Sequence, residues 1–173
     1  MPHWRIEGTQ AVYFVTWCLR AGQEVLRPHE RDIVVRALRC FERVRYDLLA
    51  YVVMDDHVHV ILVPDAARRL ESIVHSWKSY TGHQLQRESG RPAPVWLHES
   101  FDRVLRDESE LHEKAAYVGG NPWKRWPAIR EYPWVWVRGQ SANERNVTAR
   151  AGRRDAAVPV DRRDAGPTAS HDG

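Results

Sequence analysis

The run YVVMDDHVHVILVP, residues 51–64, is two β-type strings split by a pair of aspartates. Branched and aromatic side chains favour an extended, pleated backbone. The short acidic break leaves no room for a crossover, so the two strings must return side by side as an antiparallel hairpin. A two-stranded hairpin is marginal alone, so the rest of the chain must supply further strands and a cover. In the second string, alternate residues face opposite ways. Val58, Val60 and Leu62 make one wholly apolar face, suited to packed helices. His57, His59, Ile61 and Val63 make the other, with two imidazoles side by side at the turn end. Neutral imidazole is the commonest protein metal ligand, and two at this spacing can chelate one divalent cation. Two half-buried histidines at a strand end would show the same spacing. Two nitrogens leave most of an octahedral shell for water and phosphate oxygens, which suits Mg²⁺ or Mn²⁺ acting on a phosphodiester.

Residues 11–19, AVYFVTWCL, read as a strand, and 29–44 carry apolar residues at helical spacing. Arg36, Arg39 and Arg43 fall on the opposite face, toward solvent or a polyanion. The hairpin strands span 47–54 and 57–63. A helix follows over 68–87, then the break ESGRPAP and a short strand at 102–105. Asp107 is a good N-cap, with Glu110 three residues on. That helix should run over 108–118, where Gly119, Gly120 and Pro122 end it. NPWKRWP and YPWVWV read as irregular aromatic-rich chain. From Arg138 onward periodic apolar residues vanish, so 1–137 is expected to be one domain and 138–173 a disordered tail. Strand, helix, hairpin, helix, strand is the split βαβ order. It predicts an α+β, ferredoxin-like antiparallel sheet with two helices on one face and an additional C-terminal helix.

A chain of 173 residues suits one domain with a real core. It shows no repeat, no apolar run near the ~20 residues that span a bilayer, and no signal-peptide layout at its start. A cytoplasmic location is expected. Cys18 and Cys40 are too few and too far apart for a Cys-type zinc site or disulfide framework, and read as small buried hydrophobes. Net charge is a modest +3. Only Lys78, Lys114 and Lys124 are lysines; arginine supplies the remaining cations. Arginine's fork matches phosphate oxygens and stacks on bases, although codon bias in a GC-rich genome gives the same excess. The eight tryptophans can build a core or make platforms for unpaired bases.

The string VVMDDHVHVILVP resembles the histidine–hydrophobe–histidine strand of the HUH single-tyrosine transposases. YFVTWCLRAG, VWLHESFDRVLRDESEL and YVGGNPWKRWP follow the order and spacing of their REP-associated tyrosine transposase branch. The similarity covers about residues 10–130. It implies a single-stranded DNA endonuclease and strand transferase that forms a 5′-phosphotyrosine intermediate. Tyr117 would be the nucleophile, with His57, His59 and Asn121 holding Mg²⁺ or Mn²⁺. The helix pattern is compatible, because Tyr117 lies off the apolar stripe of Leu111, Ala115 and Val118. Tyr80 borders the apolar face of its own helix and Tyr51 precedes the hairpin, so both read as structural. Arg103, Arg106 and Arg125 would meet phosphates, and Trp123 and Trp126 would stack on bases. The implied partner is single-stranded DNA with hairpin-forming repeats, bound by a monomer or a homodimer. Two departures stand out: the glycine pair between Tyr117 and Asn121, and Asp55-Asp56 where the branch carries Pro-Asn. Two alternatives remain open on the residues alone. One is a metal-dependent phosphoesterase using water. The other is a non-catalytic ferredoxin-like nucleic-acid-binding module, although histidines stand where such modules expose aromatics.

Overall fold

A computed structural model describes residues 10–141. In chain order the elements are β1 (Val12–Cys18), α1 (Pro28–Cys40), β2 (Tyr46–Val53), β3 (His57–Pro64), α2 (Leu70–Ser89), β4 (Phe101–Leu105), α3 (Glu108–Arg125) and β5 (Val135–Val137). The strands form one antiparallel sheet in the order β4-β1-β3-β2-β5. The first four have the ferredoxin-like arrangement that the sequence predicts, and β5 extends it beyond β2.

The alternation in β3 decides which helices cover which face. Val58, Val60 and Leu62 join Val15 and Trp17 of β1, and α1 and α2 close over them with Ile33, Val34, Leu38, Ile73 and Trp77. On the opposite face, Phe14, Val52 and Ile61 pack beneath α3 through Leu111, Ala115 and Val118. The face that carries the histidines is therefore also covered, by the helix that carries Tyr117. A bidentate ion pair pins the first layer. Arg91 donates from Nε to Glu30 Oε1 at 2.7 Å and from Nη2 to Glu30 Oε2 at 2.6 Å, with Glu30 fully buried.

Four local expectations need correction. Helix α3 does not stop at the glycine pair but continues to Arg125, with Pro122 inside it. A Cβ on Gly119 would stand 3.1 Å from Val137 Cγ2, so this glycine lets the helix approach β5 rather than ending it. Second, YPWVWV is not irregular: Val135–Val137 pairs with Ala50–Val52 of β2. Three residues give too short a period to read, but β2 has an edge to cover. Third, α1 ends at Cys40, and Arg43 lies outside it with φ of 64°, in the left-handed region. Fourth, Cys40 is exposed on the last turn of α1 and Cys18 is half-buried, so neither is a core residue. Within the expected tail, Arg138 N donates to Leu49 O at 2.9 Å; 142–173 lie outside the described residues. Among the described residues no helix is long and apolar enough to cross a membrane.

Candidate active site

The hairpin turn, the adjoining ends of β1 and β3, and α3 bring His57, His59 and Tyr117 together. Register sets Thr16 opposite His59 and Cys18 opposite His57. The two imidazoles lie 4.6 Å apart between ring centroids, at 67°. His59 is buried, stacks on Phe14 at 5.3 Å, and its Nδ1 lies 2.6 Å from Thr16 Oγ1. His57 Nδ1 lies 2.6 Å from Asp56 Oδ1. If each Nδ1 carries the proton, both Nε2 atoms present lone pairs. His59 Nε2 is a buried atom without a hydrogen-bond partner among the described residues. A buried polar atom left unpaired is costly, which points to a ligand. Burial, followed by the charges of His57 and Lys114, pushes the His59 pKa down to about 3. The ring is thus neutral at any working pH, the state a metal needs. The carboxyl of Asp56 is held below its usual range: burial opposes ionisation, but the hydrogen bond and charge of His57 and the charge of Arg125 outweigh it.

Tyr117 approaches from α3. Its ring centroid lies 5.4 Å from that of His59 and 6.3 Å from that of Phe14, and the residue is 37% exposed. The phenol is therefore at the site and open to solvent. Because α3 continues unbroken, Asn121 sits one turn beyond Tyr117 on the same side of the helix, and it is buried. The glycine pair does not separate them. Lys114 Nζ lies 5.4 Å and Lys124 Nζ 5.0 Å from the Tyr117 ring centroid.

The residues expected to meet DNA divide. Trp123 is buried in the core beneath α3, with no open ring face for a base, which corrects that expectation. Trp126 is half-buried and stacks on Tyr132 at 5.6 Å. Arg103 pairs with Glu110 across the start of α3. Arg125 reaches back to the hairpin turn, 3.1 Å from Asp55 Oδ2 and 3.7 Å from Asp56 Oδ2. It therefore ties the last turn of α3 to the residues before the histidines. Arg106 is exposed, and its backbone N–H donates to Glu110 Oε2 at 2.9 Å. Tyr51 is buried and structural as expected, whereas Tyr80 is 53% exposed and not at a core edge. Sequence reasoning missed Thr16, Lys114 and Lys124. Strand register across β1 and β3 reveals the first, the i,i+3 spacing within the predicted helix could have found Lys114, and only the continuation of α3 to Arg125 brings in Lys124.

Chemically, the donor set suits a hard or borderline divalent cation. It offers two imidazoles whose Nδ1 atoms are held by a carboxylate and a hydroxyl, with an amide one helical turn beyond the phenol. No group of three or more His, Cys, Asp or Glu arranged to hold a metal occurs among the described residues. A ligand set built from these residues therefore needs the Asn121 amide, water or substrate oxygens.

Residues 9–101 match the family described as IS200-like transposases. No curated protein matches the chain. Among solved structures, a REP-associated tyrosine transposase bound to a REP hairpin superposes with a TM-score of 0.60 at 20% identity, over 78% of this chain and 82% of that one. A candidate transposase from Deinococcus radiodurans superposes with a TM-score of 0.50 at 16% identity, over 66% of this chain and 93% of that one. At these identities the likeness is one of fold.

Proposed function

The chain belongs to the IS200-like transposase family, and from that premise we propose that it cleaves and rejoins single-stranded DNA through Tyr117. One observation carries the reading. The phenol ring lies 5.4 Å from an imidazole whose far nitrogen is buried and unpartnered, and that imidazole is 4.6 Å from a second one. His57, His59 and Asn121 would hold Mg²⁺ or Mn²⁺. Such a cation, when bound, polarises the scissile phosphate and neutralises its developing charge.

The remaining steps belong to the chain's own side chains. Tyr117 Oη forms a bond to phosphorus as the phosphorus–O3′ bond breaks. The 3′ oxygen leaves as a hydroxyl, having gained a proton, and the phenol has lost one. Attack by a DNA 3′ hydroxyl on the phosphotyrosine reverses these changes, so phosphodiester bonds are conserved without external energy. Exposure of Tyr117 leaves room for a strand, and the Phe14–His59 stack fixes the imidazole against which the phosphate would sit. Phenol and histidines stand together within a single chain, which favours a site complete in one protomer. The partner we propose is single-stranded DNA bearing a hairpin-forming repeat, the kind of ligand carried by the REP-associated relative.

The test is incubation with single-stranded oligonucleotides from the gene's flanks, with Mn²⁺ or Mg²⁺. A covalent protein–DNA band in a denaturing gel is expected, lost in Tyr117→Phe and on chelation. Cleavage that survives Tyr117→Phe would instead identify a hydrolytic phosphoesterase. Strand binding without cleavage under any metal would identify a binding module.

A further inference from the structure

Three lysines occur in this arginine-rich chain, and two of them flank Tyr117. Lys114, Tyr117, Asn121 and Lys124 follow at steps of three, four and three along α3. At about 100° per residue these positions fall within a stripe roughly 80° wide. The buried anchors Leu111, Ala115 and Val118 lie to the other side of it. Helical side chains lean toward the N-terminus, so Lys124, two turns on, reaches back to the phenol ring. Lys114 is half-buried, lies 5.2 Å over the Phe14 ring, and its charge is felt by His59. Lys124 is exposed on the outer side.

Neither ammonium has a carboxylate within ion-pair reach among the described residues. The arginines nearby are committed elsewhere: Arg103 to Glu110, and Arg125 to Asp55 and Asp56. Both ammoniums rest against the Tyr117 ring at about 5 Å, so a phosphate brought to the phenol oxygen comes within Coulombic reach of two cations that no carboxylate neutralises.

We propose that Lys114 and Lys124 form a two-point phosphate clamp astride Tyr117. Lys114 would take the phosphate on the histidine side and Lys124 the neighbouring one along the strand. The inference rests on the single-strand cleavage reading but has its own measurement. Compact ammoniums on flexible stems suit a backbone that must shift between cleavage and rejoining, where a rigid guanidinium fork would hold one geometry.

The experiment measures affinity for a labelled single-stranded oligonucleotide against salt, in the Tyr117→Phe background so that no covalent product forms. Each phosphate contact adds about 0.7 to the slope of log affinity on log salt for single strands. Lys114→Gln and Lys124→Gln should each flatten the slope by about 0.7, and the pair by about 1.4. Lys→Arg at either position should restore it. Arg69→Gln, a loss of equal charge next to Glu71 at the start of α2, should leave it unchanged. An unaltered slope in the double variant overturns the clamp, as does equal flattening by Arg69→Gln. Cleavage is scored separately on the protein with Tyr117 and both lysines intact. An adduct with an unaltered slope sinks the clamp and spares the transposase reading. A flattened slope without adduct from any strand spares the clamp and sinks that reading.

Discussion

His59 has one ring nitrogen held by Thr16 and the other left without a partner, and its environment keeps it neutral. Partners of the non-ligating nitrogen fix ring orientation, and their loss typically costs 10–100-fold in metal affinity. Thr16→Val should therefore weaken Mn²⁺ binding about 10–100-fold by calorimetry while the fold survives; unchanged affinity would remove Thr16 from the site. Asp56 does the same for His57. Asp56→Asn keeps an acceptor and should retain most of the affinity. Asp56→Ala should lose about tenfold or more. Affinity unchanged from the unaltered protein in both would show that this carboxylate merely closes the turn.

Helix α3 carries the phenol, the amide and both lysines on one stripe, so its continuity past Gly119-Gly120 matters more than any single contact. The two glycines differ. A Cβ on Gly120 meets nothing within 4 Å, whereas one on Gly119 meets Val137 Cγ2 at 3.1 Å. Replacing a helical glycine with alanine gains up to about 1 kcal/mol where space allows. Gly120→Ala should therefore raise the thermal midpoint, and Gly119→Ala should gain less or lose, because β5 must yield. The reverse order in a melting experiment would mean that α3 does not lie against β5 as described. Were strand exchange to need a bend in α3, Gly120→Ala would also slow rejoining relative to cleavage.

At the scale of the whole molecule, the buried Glu30–Arg91 pair ties the start of α1 to the chain leaving α2. Arg91 also donates to Glu24 O at 2.7 Å and Val25 O at 2.9 Å. Removing one partner of a buried pair typically costs about 3–5 kcal/mol. Arg91→Met should lower unfolding free energy by that order in a urea titration. The same pair sets an acid limit. Burial opposes the Glu30 charge, but Arg91 and the Arg27 backbone N–H outweigh it and hold the carboxyl pKa down to about 2, from 4.5. A depressed carboxylate contributes stability above its unfolded pKa that is lost as pH falls through the folded one. His59, pushed down to about 3 from 6.5, acts in a higher window, because only the unfolded chain takes its proton there. The thermal midpoint should thus begin to fall near pH 6.5 and fall faster below about 4.5. Glu30→Gln should remove the lower part only. A midpoint flat from pH 6.5 to 4.5 contradicts the His59 assignment, and one flat from pH 4.5 to 2 contradicts that of Glu30.

Residue type and spacing alone determined the hairpin, its histidine face, the ferredoxin-like order and the solvent side of Tyr117, because two-residue and 3.6-residue periods are local properties of the chain. Local pattern misjudged wherever a distant neighbour decides. Gly119-Gly120 and Pro122 look like a helix end until Val137 lies against the helix, and VWV looks irregular until β2 needs an edge partner. Trp123 reads as a base platform until α3 is laid on the sheet and buries it. Only the tertiary structure put Thr16 behind His59, Arg125 on the acidic turn and two lysines beside one phenol. The first two are contacts between residues far apart in the chain, fixed by register and packing, and Lys124 shares a helix with Tyr117 only because α3 runs on past the glycine pair.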